Sequence, residues 1–163
     1  MLSPNTHPAQ SDDLLLRPAN SADTAALATL SFRSKAHWGY DAEFMERVRS
    51  ALEPDPAYLS NCPVLVIERS GEAIAFYGFK LLDGEIFLHD FFVAPEMIGL
   101  GLGKQLWLHA LNTARAQKYE SFLIESDPFA KGFYLHMGAR QIGEIPASGT
   151  GRLLPLLRYD LSG

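Results

Sequence analysis

Residues 93–104, VAPEMIGLGLGK, alternate Gly99, Gly101 and Gly103 with aliphatic side chains and close on Lys104. Glycine removes the side chain, so backbone N–H groups can approach an anion and positive φ carries no strain. A helix opening straight after the loop contributes unpaired N–H groups and the positive end of its dipole. Lys104 falls in that first turn, where a cation is disfavoured unless a phosphate lies beside it. The competing reading is a glycine-rich connection that holds no ligand. Two nucleotide fingerprints are excluded. A P-loop requires glycine where Ile98 stands, and Ser or Thr where Gln105 stands. A GxGxxG loop begun at Gly99 reaches Lys104 instead of glycine, and begun at Gly101 it reaches Leu106.

Proton chemistry has three candidates. The stretch from Glu85 to Val93 reads as a long strand with His89 and Asp90 adjacent among apolar residues. Alternation places Glu85, Phe87, His89 and Phe91 on one face, and Ile86, Leu88, Asp90 and Phe92 on the other. Ionisable groups in such a strand need partners when buried. His89 ranks first as a base because its ordinary pKa suits neutral pH. Asp90 is suited to binding an ammonium, and Glu125 is a further candidate base; each of the three also reads as a structural residue. SKAHWGYD (residues 34–41) supplies His37, Trp38 and Tyr40, which combine apolar surface with hydrogen-bond donors. That stretch is either an acceptor pocket or a packed aromatic corner between helices. Arg152 in the loop SGTGR offers a guanidinium for a carboxylate, or belongs to a plain hairpin turn. Five histidines without a short-spaced pair, and one cysteine, give no metal site.

The elements that position these groups follow from periodicity and turn residues. Leu14–Pro18 reads as a strand, and a helix capped by Asn20 or Ser21 runs to about Ser34 with Ala25, Leu27, Ala28, Leu30 and Ala36 on its apolar side. A second helix spans Asp41 to Leu52, and the prolines of EPDP end it. Strands at 63–68, 73–82 and 85–93 are joined by hairpin signals at Ser70-Gly71 and Asp83-Gly84. A helix from Gly103 to about Gln117 presents Trp107, Ala110, Leu111 and Ala114 on one face. Strand 121–126, helix 127–137 and strands 139–145 and 153–161 complete the order βααβββαβαββ. No repeat or linker divides it, so residues 13–163 form one α/β (α+β) domain after a flexible lead-in over residues 1–12.

At 163 residues, 47% hydrophobic and 20% charged, the chain suits one globular domain with a sizeable core. A net charge of −5 argues against nucleic acid as the main partner. No apolar run approaches the roughly 20 residues of a membrane helix. The N-terminus lacks the basic start and apolar stretch of a signal peptide, and Cys62 stands alone, so a cytoplasmic protein is expected.

The run Val93-x-Pro95-x-x-x-Gly99-x-Gly101-x-Gly103 resembles the acetyl-CoA motif of the GNAT acyltransferase superfamily. DPFAKGFYLHMGA (residues 127–139) is similar to that superfamily's next motif, and the opening LLLRPANSADTAALATL and the element order match too. The resemblance covers Asp13 to about Leu161. It implies a mixed, mostly antiparallel sheet of about seven strands flanked by about four helices. It further implies an N-acetyltransferase that moves acetyl from acetyl-CoA to a primary amine of a small molecule or peptide, by direct attack in a ternary complex. A non-catalytic acyl-CoA-binding sensor is the alternative. The backbone of Ile98, Gly99, Leu100, Gly101, Leu102, Gly103 and Lys104 is implied to wrap the pyrophosphate. Pantetheine is implied to lie where the strand ending at Val93 splays from strand 121–126. Phe91, Phe92 and Val93 would offer an oxyanion donor, Asp127 and Lys131 would lie at the coenzyme, and Tyr134 would protonate the leaving sulfur or simply pack its helix. The superfamily also allows a homodimer through the C-terminal strands. Two residues depart from its pattern: Ile98 replaces Gln or Arg, and Asp127 replaces Asn, which can donate where an ionised carboxylate cannot.

Overall fold

The computed structural model describes residues 13–147 and 150–161. The expected lead-in over residues 1–12 lies outside them, as does part of the loop at 146–151. Seven strands form one sheet: β1 (Leu14–Pro18), β2 (Val64–Arg69), β3 (Glu72–Leu82), β4 (Glu85–Val93), β5 (Ser121–Glu125), β6 (Arg140–Pro146) and β7 (Leu153–Asp160). Their order is β1-β2-β3-β4-β5-β7-β6. Every neighbouring pair is antiparallel except β4 and β5.

The helices are α1 (Thr24–Ala36), α2 (Ala42–Val48), α3 (Pro56–Asn61), α4 (Leu102–Ala116) and α5 (Lys131–His136). α3 is one helix more than the sequence suggested. The prolines of EPDP stop one helix and also start the next. Asp55 accepts a hydrogen bond from the Ala57 N–H at 3.2 Å, and Pro56 occupies the first helical position, where a missing N–H costs nothing. α1 runs two residues further than expected and buries Leu27, Leu30, Ser31 and Ser34, while Ala25 is exposed. α5 begins only at Lys131, because residues 128–130 form a turn held by Asp127.

α4 and α5 cover the sheet face that carries Tyr77, Phe79, Phe91 and Phe122. Trp107 of α4, 1% exposed, touches Phe91, Phe122 and Tyr159 at ring distances of 6.2, 5.9 and 5.3 Å. On the opposite face Tyr58 of α3 lies directly over Gly78. A Cβ at Gly78 would stand 1.9 Å from the Tyr58 hydroxyl oxygen, so only glycine admits that ring.

β4 departs from simple alternation. Gly78 pairs with Asp90 and Phe79 with Leu88, which leaves His89 as an extra residue in a bulge. Leu88 and Asp90 therefore face opposite sides of the sheet, contrary to the period-two expectation. Asp90 pairs with Gly78 beneath Tyr58, and His89 meets the same Tyr58 ring edge-on at 5.3 Å.

Candidate active site

β4 and β5 share a single pair of partners, Phe87 with Leu123. Beyond it the two strands part, and among the described residues β4 keeps β3 as its only neighbour up to Val93. A cavity of about 420 Å³ opens into this gap. One end is lined by Phe91, Phe92, Val93, Ile98, Gly99 and Gly103, with Phe133 and Tyr134 from α5. The other end is lined by Lys35 and Trp38 of α1 and the turn after it, by His89 and Glu125, and by Asp127 and Phe129.

The glycine loop is built for backbone donation. Gly99 and Gly101 take φ of +86° and +87°, and Gly101 sits immediately before α4. Open space surrounds both Cα atoms, so glycine is needed there for conformation rather than for room. The Ile98 and Leu100 N–H groups turn back onto Pro95 and Met97 at 3.2 and 3.3 Å. These two N–H groups have partners within the loop, whereas the sequence alone leaves all seven residues from Ile98 to Lys104 as candidate donors. Among the described residues no backbone acceptor meets the N–H groups of Gly99, Gly101, Leu102, Gly103 and Lys104. A pyrophosphate fits such a set of aligned, unpaired donors at a helix start. Leu102 points into the core at 2% exposure, and the Lys104 and Leu100 side chains are exposed away from the cavity lining. Lys131 is half-buried at the start of α5 and is absent from the lining.

Tyr134 is 6% exposed, lines the cavity and packs against Phe91 and Trp107 at 5.8 and 5.9 Å. Burial pushes its phenol above the ordinary tyrosine value, and the Asp127 and Asp90 charges add to that. It keeps its proton through the neutral range. Glu125 ends β5 at the cavity. Partial loss of water raises its carboxyl above the ordinary range, against the opposing influence of His89.

Three residues expected near an acceptor are absent from the cavity lining. Asp90 is half-buried beside Tyr58 and does not line the cavity. Loss of water raises its pKa, opposed by His89, Tyr58 and Lys80. The bulge explains the misplacement. His37 caps α1 and is exposed, touching only the edge of Trp38 at 5.7 Å among aromatic partners. Tyr40 lies behind the cavity wall. Its hydroxyl donates to Asp127 at 2.9 Å and accepts from Arg152 Nη1 at 2.9 Å. Burial holds that phenol above its usual value; Asp127 reinforces the shift and Arg152 opposes it.

Asp127 is drawn into this polar knot. Lys35 Nζ donates to it at 2.6 Å, and the Phe129 N–H donates at 2.9 Å. Arg152, whose Nη2 is 4.0 Å from Asp127, lies over the Tyr40 and Phe44 rings at 5.1 and 4.9 Å. Arg152 thus serves the wall, not the cavity lining.

The model of the acetyltransferase (GNAT) family matches residues 26–139. The chain belongs to the GNAT acetyltransferase family. Similar proteins include the peptidyl-lysine N-acetyltransferase YjaB of Salmonella typhimurium, 32% identical over 80% of this chain and 79% of that protein. YjaB of Escherichia coli K12 is 31% identical over 76% of each. Among solved structures, a GCN5-related N-acetyltransferase from Rhodopseudomonas palustris superposes with a TM-score of 0.75 at 22% identity, covering 90% of this chain and 95% of that one. The PaiA N-acetyltransferase of Thermoplasma acidophilum, solved in complex with coenzyme A, gives 0.70 at 15% identity, covering 91% and 99%. These two structural likenesses establish the GNAT fold.

No local pattern in the sequence of this GNAT chain marks Lys35, Phe129 or Tyr58 as belonging to the site or its support. Lys35 was legible in one respect: it lies three residues before Trp38, hence on the same helical side. Tyr58 was hidden by the missed α3. No helix among the described residues is long and apolar enough to cross a membrane, and no cluster there has the makings of a metal site.

Proposed function

We propose that this chain transfers the acetyl group of acetyl-CoA to a primary amine, with the side-chain amine of a lysine in a peptide as the favoured acceptor. The observation that carries the reading is the cavity between the parting strands, with unpaired N–H groups at one end and Glu125, His89 and Trp38 at the other. The peptidyl-lysine activity named for the two YjaB relatives supports the acceptor class.

Acetyl-CoA supplies an activated acyl thioester. The N–H groups of Gly99, Gly101 and the first turn of α4 hold its pyrophosphate, and Phe91, Phe133 and Tyr134 enclose the arm that leads to the reacting end. A lysine amine has an ordinary pKa near 10.4 and arrives as an ammonium. Glu125 and the Trp38 ring attract that cation. His89 accepts the proton the amine must lose, directly or through one water. Backbone N–H groups of β4 that face the β5 side, where it has no partner beyond Phe87, meet the charge that develops on the carbonyl oxygen. Tyr134 donates to the departing sulfur. Because burial strengthens its hold on the proton, this step contributes modestly.

The test is a coupled assay of free-thiol release and amide formation, using acetyl-CoA with blocked lysine peptides and with free aliphatic amines. Lysine-peptide acetylation well above the rate of thioester hydrolysis is expected. Tight acetyl-CoA binding with no transfer to any amine would sink the reading.

A further inference from the structure

The two ends of the acceptor wall come from distant parts of the chain, and one carboxylate joins them. Trp38 follows α1, and its N–H bonds the Lys35 carbonyl at 3.1 Å. Phe129 lies in the turn after β5, and its N–H bonds Asp127 Oδ1 at 2.9 Å. The Trp38 and Phe129 rings stack at 5.6 Å with only 9° between their planes. Lys35 and Asp127, 92 residues apart, form the ion pair that spans the junction, with side chains 14% and 15% exposed. Tyr40 adds a hydroxyl to the same carboxylate and sets its ring edge against Phe129 at 5.6 Å.

An ionised carboxylate offers about four lone-pair sites and no donor. At Asp127 these are met by Lys35, by the Phe129 N–H and by the Tyr40 hydroxyl, which reaches both oxygens at 3.0 and 2.9 Å. Little capacity is left for a coenzyme arm, and no proton can be given to one. The carboxylate that stands where the superfamily places Asn is thus committed to the wall.

We propose that Lys35 and Asp127 are positioning residues for the acceptor: their ion pair clamps Trp38 against Phe129 into one flat wall. The methylene stem of an alkylammonium acceptor lies along this wall while its head meets Glu125 and His89. The proposal rests on the acetyl-transfer reading for its kinetic arm only. The clamp itself is a statement about the protein without any acceptor.

Trp38 reports on it directly, since the only other tryptophan, Trp107, is 1% exposed. Acrylamide quenching of tryptophan fluorescence, isothermal titration with acetyl-CoA, and initial rates with a blocked lysine peptide are compared for wild type, Lys35→Met, Lys35→Arg and Asp127→Asn. Removing one partner of a poorly solvated pair strands the other, so Lys35→Met should loosen the wall and raise the quenching constant about twofold. The peptide KM should rise about tenfold while the acetyl-CoA Kd stays within about twofold. Lys35→Arg should restore quenching and KM, which a merely structural lysine would not require. Asp127→Asn keeps the side-chain size and the acceptor for the Phe129 N–H, so it carries the same test if Lys35→Met does not fold. Unchanged quenching in both charge-removing variants overturns the clamp even if no amine is acetylated. A weakened acetyl-CoA Kd with unchanged peptide KM overturns it as well and assigns Asp127 to the coenzyme. Failure of the acetyl-transfer reading would appear separately, as wild-type protein that acetylates no amine, whether or not it binds acetyl-CoA.

Discussion

The two ends of the cavity are made of different material. The end at the glycine loop is backbone, shaped by two left-handed glycines and the start of α4, with aromatic side chains as walls. The end at Glu125 is side chain: a stacked aromatic pair, an ion pair behind it and two titratable groups in front. Backbone donors recognise any chain that can bend the same way, so that end suits a ligand shared across a family. Side chains can be exchanged singly, so on the proposed function the second end sets specificity.

The comparison breaks most sharply at Gly101. Valine there must adopt φ near +87°, a conformation that costs an L-residue roughly 1–2 kcal/mol and a β-branched one more. Gly101→Val should weaken acetyl-CoA binding by about a hundredfold in a calorimetric titration. Ile98→Ala removes only a partly exposed apolar contact and should cost about threefold or less. Equal losses would show that side chains, not the backbone, do the holding.

At the other end, His89→Ala should lower kcat by about a hundredfold with acetyl-CoA affinity unchanged, as loss of a general base does. An unaltered kcat would move the base to Glu125. Tyr134→Phe leaves the ring packing and removes one weakly acidic donor, so kcat should fall by about tenfold, read in single-turnover experiments. A loss as large as that for His89 would mean that protonation of the sulfur limits the reaction.

Two smaller effects concern the support beneath the site. Gly78→Ala drives a methyl group into Tyr58 and should destabilise the fold by about 1–3 kcal/mol in chemical denaturation. For Asp90 the sign follows from burial, which raises its pKa in the folded state. The unfolded chain then releases that proton at lower pH than the folded chain does. Stability conferred below the ordinary Asp value is therefore lost as pH rises towards the folded value. Asp90→Asn should flatten this decline and raise Tm at pH 7. A lower Tm at pH 7 would show that the charged carboxylate stabilises the fold through its neighbours.

The backbone-built end was the more legible in the sequence, and for a physical reason. Glycine spacing, the strand before it and the buried face of α4 (Trp107, Ala110, Leu111, Ala114) are local patterns. The side-chain end depends on contacts between segments far apart, such as Lys35 with Asp127, which no local period encodes. Period-two reasoning also misplaced Asp90, because a bulge depends on strand pairing and leaves no mark in the alternation itself. Pro56 both breaks the helix before it and, after Asp55, starts the next one. Tyr58 was missed with α3, and with it the reason Gly78 must be glycine.

The most direct test of the division between the two ends is a calorimetric titration of acetyl-CoA against wild type, Gly101→Val and Trp38→Ala. One molecule should bind per chain, with affinity retained in Trp38→Ala and lost by about a hundredfold in Gly101→Val. Binding that survives in Gly101→Val, or weakens equally in both variants, would contradict a coenzyme end built from backbone and an acceptor end built from side chains.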